Sequence, residues 1–286
     1  MLKEAEIGTY ILFQETYNKE GYKRLHPTGP KSDYNWHTEA MDRAMEGGID
    51  DVGLGVLFGL ESYRYEFAGL IMHAEHLEAV HGVGPHTISV PRVKPAMDID
   101  PDVFDNGIPD KMFEKIIALI RITVPYTGMI ISTREGQTVR EHALQYGISQ
   151  ISGGSRTSVG GYTEALRPHD TEQFDVSDQR TLDEVISWLI DQEHVPSFCT
   201  ACYRAGRTGD RFMSFCKNGQ ILNYCHPNAL ITLAEYLVDY ATPETFQKGF
   251  ALLEREMYKI KDDNRRHQCV EAIYAIVHEG KRDQRF

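Results

Sequence analysis

The 286-residue chain has no hydrophobic run of membrane-spanning length, and a helical span needs about 20 consecutive apolar residues. It also lacks an excess of positive charge: 42 Asp and Glu stand against 30 Lys and Arg. That acidic balance argues against a nucleic-acid or anionic-membrane partner, which calls for basic patches. The opening MLKEAEIGTYILFQ has neither the basic stretch nor the cleavage site of a secretory signal, so the expected location is cytoplasmic. No solenoid-period repeat, low-complexity tract or G-x-G-x-x-G dinucleotide fingerprint is present. Cysteine is missing from the first 198 positions; of the five cysteines, four fall between 199 and 225. A disulfide framework is a poor reading of an odd number in a large chain without a secretion signal. Metal binding or redox chemistry is the better one.

What is there begins as short strand, turn, helix, repeated. Apolar strands are expected at 9–13, 51–60, 86–91, 128–133 and 148–152, with helices near 34–46, 67–77, 110–123 and 138–146. Near-continuous apolar strands alternating with helices indicate parallel βα units buried on both faces. The strands end in Gln14–Glu15, Gly59 to Glu61, Arg92, Arg134–Glu135 and Ser152–Gly153–Gly154, as on the active-site rim of a (β/α)₈ barrel. A doubly wound sheet is the competing arrangement. Five units are too few to close a barrel, so the expected fold class is α/β: a partial (β/α)₈ TIM-type barrel, about its last five βα units, with a bare edge at the first strand and a chain truncated at its N-terminus. After a polar connector, helices near 181–193, 228–240, 243–259 and 265–278 point to a mostly α-helical second domain. The expected division is 1–165 and 166–286.

Cys199 and Cys202 form C-x₂-C, and Cys225 follows after twenty-two residues. Two closely spaced thiolates grip one metal or one cluster face, and a distant third closes the site through folding. Three cysteines suit a four-iron cluster with one open iron, or zinc with a further ligand such as His226. Cys216 is a competing third ligand. Arg204, Arg207 and Arg211 in the intervening segment favour thiolate and offset cluster charge. His73 and His76 stand at i, i+3 on a helix, with His81 beyond, a spacing that can bind metal or simply pack. Arg134 beside Glu135 is placed to clamp a carboxylate or to form a surface ion pair. The loop SGGSRTSVGGY at 152–162 can cradle an anion through backbone N–H groups, though a glycine loop alone is a weak sign.

These segments together resemble a known family. GTYILFQETYN, HPTGPKSDYNWH, DVGLGVLFGL, GVGPHTISVPRVKPA, ISTRE, SQISGGSRTSVGGY and PSFCTACYRAGRTGDRFM with YCHPNAL are similar to the ThiH/HydG family of radical S-adenosylmethionine aromatic amino-acid lyases. The C-x₂-C-x₂₂-C motif marks the HydG branch, the maturases of FeFe-hydrogenase, and the resemblance runs through essentially the whole chain. It implies a tyrosine lyase that yields p-cresol and dehydroglycine (2-iminoacetate), and from the latter CO and cyanide for hydrogenase H-cluster assembly. L-tyrosine is then the substrate, and hydrogenase-maturation proteins are the partners. It implies that Cys199, Cys202 and Cys225 hold an auxiliary 4Fe-4S cluster with an extra labile iron on His73, His76 being the fallback. Arg134 and Ser152 match the pair that grips the substrate carboxylate, and Glu15, Arg92 and Arg156 fall where S-adenosylmethionine is contacted. The family's radical-generating C-x₃-C-x₂-C motif is absent here. The expectation is therefore a chain matching the C-terminal three-fifths of HydG, with an incomplete S-adenosylmethionine site and no radical chemistry on its own. The alternatives are a ThiH-like 2-iminoacetate synthase, a non-catalytic iron–sulfur or zinc module, and a fragment.

Overall fold

A computed structural model describes residues 2–95, 100–158, 160–162 and 176–286. The chain divides into two compact units, Met1–Gln179 and Arg180–Phe286. The division expected after residue 165 lies outside the described residues.

In the first unit, β1 (Tyr10–Ile11) leads into three short helices: α1 (Lys19–Leu25), α2 (Tyr34–Thr38) and α3 (Ala40–Glu46). Side chains set where the first two begin. Asn18 accepts from the Gly21 N–H and Asp33 from the Trp36 N–H, satisfying donors that have no partner within the helix. The single helix expected over 34–46 is interrupted at Glu39, which closes α2 and opens α3. There follow β2 (Val52–Gly55), α4 (Tyr63–His81), β3 (Thr87–Ser89), α5 (Asp110–Thr123), β4 (Gly128–Ile131), α6 (Gln137–Gln145) and β5 (Gln150–Ile151). α4 stops at Gly82, whose φ of +74° is the left-handed C-cap conformation that glycine adopts without penalty.

The five strands pair in chain order, β1-β2-β3-β4-β5, every pair parallel. An unbroken sequential order is that of a barrel arc, whereas a doubly wound sheet reverses direction at a switch point. The fold class is thus α/β, an arc of a (β/α) barrel followed by a helical unit. Strand β2 is buried throughout. A Cβ on its Gly53 would fall 2.5 Å from Thr87 Oγ1 and 2.7 Å from Ile11 Cγ1, so the sheet's close approach requires glycine there. Val52, Leu54, Ile88 and Met129 pack against Leu70, Leu77, Phe113, Ile117 and Ile120 to form one core.

The second unit is helical among its described residues: α7 (Leu182–Asp191), α8 (Ala201–Arg204), α9 (Gly209–Lys217), α10 (Leu222–Asp239), α11 (Pro243–Met257) and α12 (Asp263–Glu279). A reciprocal capping box between Thr181 and Glu184 starts α7. The Asp183 carboxylate ties three helices together, accepting from Tyr236 (3.0 Å), Thr242 (2.8 Å) and Thr245 (2.9 Å) hydroxyls. α10 starts six residues before the expected position 228 and takes in both Cys225 and Pro227. Pro227 has no N–H for the carbonyl of Asn223, and the Arg265 guanidinium supplies that carbonyl's donor at 2.7 Å instead. Among the described residues no helix is long and apolar enough to cross a membrane.

Candidate metal centre and strand-end site

The cysteines occupy the start of the helical unit. Cys199 precedes α8, Cys202 lies within it, Cys216 is near the end of α9 and Cys225 is in the first turn of α10. None is joined in a disulfide. The thiols lie within electrostatic reach of one another. Burial pushes the Cys225 thiol up to about 12, with Cys202, Cys199 and Cys216 adding to the rise and Arg207 opposing it. Cys199 is likewise raised by burial, while the Ala201 N–H at 3.4 Å on its sulfur and the Arg207 charge pull the other way. Among the described residues no three His, Cys, Asp or Glu side chains converge as ligands of one ion. In a four-iron cluster each cysteine takes a different iron, so its sulfurs stand farther apart than the tetrahedral ligands of one zinc. Three cysteine thiols are a donor set that either a cluster or zinc takes; His226, the further zinc ligand considered, lies 3.2 Å from Glu256. Cys269, the fifth cysteine, is buried with its sulfur on the Pro227 carbonyl at 3.8 Å.

The histidines of α4 sort themselves. His76 and His81 both place Nε2 on Asp42 Oδ1, at 2.8 and 2.9 Å. His73 has its Nδ1 on the Tyr17 hydroxyl at 3.0 Å, and its buried Nε2 has no partner among the described residues. Burial lowers its pKa to about 4, so at neutral pH the imidazole is uncharged, the form that ligates metals. It lines a cavity of about 440 Å³ with Tyr17, Tyr34, Tyr65, Met72 and His76. With Nδ1–H directed to the phenol oxygen, Nε2 presents its lone pair.

At the strand ends, charges meet in pairs. The Arg92 guanidinium straddles the Glu135 carboxylate (Nε to Oε1 2.8 Å), donates to the Ile108 carbonyl at 2.8 Å and contacts Asp110. Lys94 is 3.2 Å from the same buried Glu135. Arg92 is itself buried, and these donors are spent inside the protein rather than offered to a ligand. Glu15 has φ +65°, and its carboxylate takes Lys31 at 2.6 Å. Burial lowers the pKa of Arg134, against which Glu15 and Glu135 act, so Arg134, Glu15 and Glu135 share one electrostatic neighbourhood. Ser152 gives its carbonyl to Arg140, which also pairs with Asp178 in the interior. Arg156 is exposed, its N–H donating to the Tyr162 hydroxyl at 3.2 Å. The structure thus groups the cysteines with one another and Arg134 with Glu15 and Glu135. Sequence reasoning did not single out Asp42 or the Tyr17–His73 pair. Both are made by residues more than thirty positions apart, beyond any local spacing rule.

Comparison with known proteins adds to this geometry. Residues 89–194 match the model of the Biotin and Thiamin Synthesis associated domain. The 2-iminoacetate synthase of Salmonella typhimurium is 31% identical over 194 residues, 67% of this chain and 50% of that protein; the Escherichia coli enzyme is 30% identical over the same share. A crystal structure of HydG, a maturase of the FeFe-hydrogenase, superimposes with a TM-score of 0.95 at 52% identity, covering 100% of this chain and 62% of that one. HydG of Carboxydothermus hydrogenoformans superimposes with a TM-score of 0.78 at 42% identity, covering 95% of this chain and 58% of that one. The arc of βα units and the cysteine-bearing helical unit are similar to the HydG and 2-iminoacetate synthase family. Within it the chain is similar to HydG from end to end. It spans about half the length of the curated relatives it matches.

Proposed function

We propose that the chain is the substrate-clamping and auxiliary-cluster part of a HydG-type lyase. The complete protein would convert tyrosine to p-cresol and dehydroglycine, and then yield CO and cyanide for the H-cluster of FeFe-hydrogenase. The grouping of Cys199, Cys202 and Cys225 within one electrostatic neighbourhood carries the reading, and the whole-chain likeness to HydG supports it. Bound S-adenosylmethionine would supply the hydrogen-abstracting radical, and the auxiliary 4Fe-4S cluster with its labile iron the place where CO and cyanide are taken up.

Cys199, Cys202 and Cys225 would hold the cluster after losing their protons, a loss that metal binding drives and that the raised Cys199 and Cys225 thiols resist until metal arrives. His73 would hold the labile iron through its unpartnered Nε2, and Tyr17 fixes the ring. His76 is less suited, because Asp42 already engages it. Arg134 and Ser152 would bind the substrate carboxylate, Arg134 as a half-buried cation facing an anion. Glu15 and Arg156 would contact S-adenosylmethionine, and Arg92 would serve that end by fixing Glu135.

Anaerobic reconstitution with iron and sulfide tests the cluster: about four irons per chain, a broad visible absorbance and an EPR signal on reduction are expected. Zinc retention without sulfide would overturn it. With S-adenosylmethionine and dithionite, no 5′-deoxyadenosine should form, since the chain has no C-x₃-C-x₂-C motif; its formation would refute that part of the reading. The 2-iminoacetate synthase alternative rests on 31% identity over two thirds of the chain, against 52% over all of it for HydG. A non-catalytic metal module predicts stable iron without binding of tyrosine.

A further inference from the structure

We infer that Arg207 is a positioning residue of the cysteine site, and that residues 282–286 form a strap that holds its guanidinium in place. The inference rests on the cluster reading given above.

Arg207 follows α8, and its backbone N–H donates to the Cys202 carbonyl at 2.8 Å. Its side chain turns inward and is 7% exposed. One arm, Nη2, donates to the Phe286 carbonyl oxygen at 2.9 Å. The guanidinium lies 4.7 Å from the centre of the Tyr224 ring, the residue before Cys225, and Arg265 lies 4.7 Å from the same ring. Its Nε is buried without a hydrogen-bond partner among the described residues. A buried cationic N–H left unspent is costly, and its charge reaches both Cys199 and Cys225. An anionic cluster on those cysteines supplies what this guanidinium lacks: negative charge and sulfur acceptors.

The strap is anchored at successive residues. Arg282 forks onto Asp239, its Nε to Oδ2 at 2.7 Å. Asp283, at φ +63°, forks onto Arg204, with Nη2 to Oδ2 at 2.7 Å. The Gln284 N–H reaches Glu235 at 3.3 Å, and the Phe286 N–H reaches Oδ1 of the buried Asn228 at 2.8 Å. The two arginines nearest to Cys202 in sequence are therefore held by the same five-residue segment, at Asp283 and Phe286. Asp283 tolerates the left-handed conformation better than most residues, and its place in the strap gives that conformation a purpose. Arg204 is held at the protein's edge by the strap, whereas Arg207 is buried, its guanidinium over the Tyr224 ring next to Cys225 in sequence.

The test uses the full chain, wild type beside Arg207→Gln, Arg207→Lys, Asp283→Ala and a chain ending at Arg282. In the metal-free proteins, amide exchange over residues 203–209 should rise in the two strap variants and stay near wild type in Arg207→Lys; unchanged exchange overturns the strap. In the reconstituted proteins, Arg207→Gln should lose iron to a chelator about ten-fold faster, in the range of outer-shell effects at metal sites. Its cluster midpoint potential should move to more negative values, because a positive charge near the cluster favours the reduced form. Arg207→Lys should recover most of the potential, and the strap variants should shift it in the same direction by less. Faster iron loss with an unmoved potential would show a merely structural arginine and overturn the inference. Uptake of iron and sulfide by the wild type alongside an unaffected Arg207→Gln would overturn this inference and leave the cluster reading standing; a wild type that takes up neither overturns both.

Discussion

The strand-end charges of the first unit and the cysteine loop of the second handle a similar demand, holding polar groups out of water, in opposite ways. At the strand ends the partners are already present: Arg92 and Lys94 meet on Glu135, Lys31 meets Glu15, and Arg140 meets Asp178. In the cysteine loop the Cys199 sulfur accepts one backbone N–H, from Ala201, and burial holds the Cys199 and Cys225 thiols above their ordinary range. Contacts from outside the loop order it: Arg265 over the Tyr224 ring, its donor to Asn223 and the ion pair of Arg204 with Asp283. The paired charges of the first region are satisfied within the fold, whereas the proposed occupant of the second is a cluster. Removing a group should thus cost fold in the first and cofactor in the second.

The largest expected effect lies in the loop. Cys225→Ala should reduce reconstituted iron by more than about ten-fold, since losing a thiolate ligand outweighs the ten- to hundred-fold cost of losing an outer-shell partner. The far-ultraviolet circular dichroism of its metal-free form should match wild type. A Cys225→Ala chain that keeps its cluster, or one that unfolds without metal, breaks the contrast. Next comes the strand-end pair. Glu135→Ala leaves the buried Arg92 guanidinium with Asp110 and the Ile108 carbonyl, and breaking a buried pair costs up to about 3–5 kcal/mol, measurable as a lower urea midpoint. A loss under about 1 kcal/mol, the level of a solvent-exposed pair, would place Glu135 with surface ion pairs.

A third expectation concerns pH. The unfolded imidazole of His73 takes up a proton below its ordinary 6.5, whereas the folded one does so only near 4. Between those values the unfolded chain binds more protons, so stability falls as pH drops through that window and is fully present above it. His73→Gln should flatten that part of the stability profile in urea melts at fixed pH; an unchanged slope would mean that the ring is not held neutral. The smallest effect is local: Thr181→Ala removes the capping box of α7 and should cost about 1 kcal/mol, seen as a modest shift in the thermal midpoint of the wild-type unfolding curve.

Much of the sheet-bearing unit was legible, because its signals are short-range. The runs around Val52, Ile88 and Met129 are uninterrupted by charge, and α5 appears over the residues its periodicity predicts. The helices α1 and α8 are not predicted: each is seven residues or fewer, too short for an apolar stripe to stand out. Pro227 concealed the first turns of α10, since a proline ordinarily marks a helix start, and only Arg265, thirty-eight positions further on, makes its interior place affordable. Among site residues, the C-x₂-C spacing pointed to Cys199 and Cys202 without help. Arg92 read as a ligand-facing charge because its strand-end position is visible in sequence, while its partner Glu135 on another strand is not.

That missing rung in α10 bears on how portable the cysteine motif is. A helix carrying Cys225 two residues before a proline has surrendered one of its own backbone hydrogen bonds to a side chain from α12. Grafting C-x₂-C-x₂₂-C onto another helical scaffold by copying only the segment 199–227 would leave the Asn223 carbonyl bare, and the turn bearing the third thiolate would fray where it must be firm. A designer, or a recombination event, must carry the partner helix along with the loop.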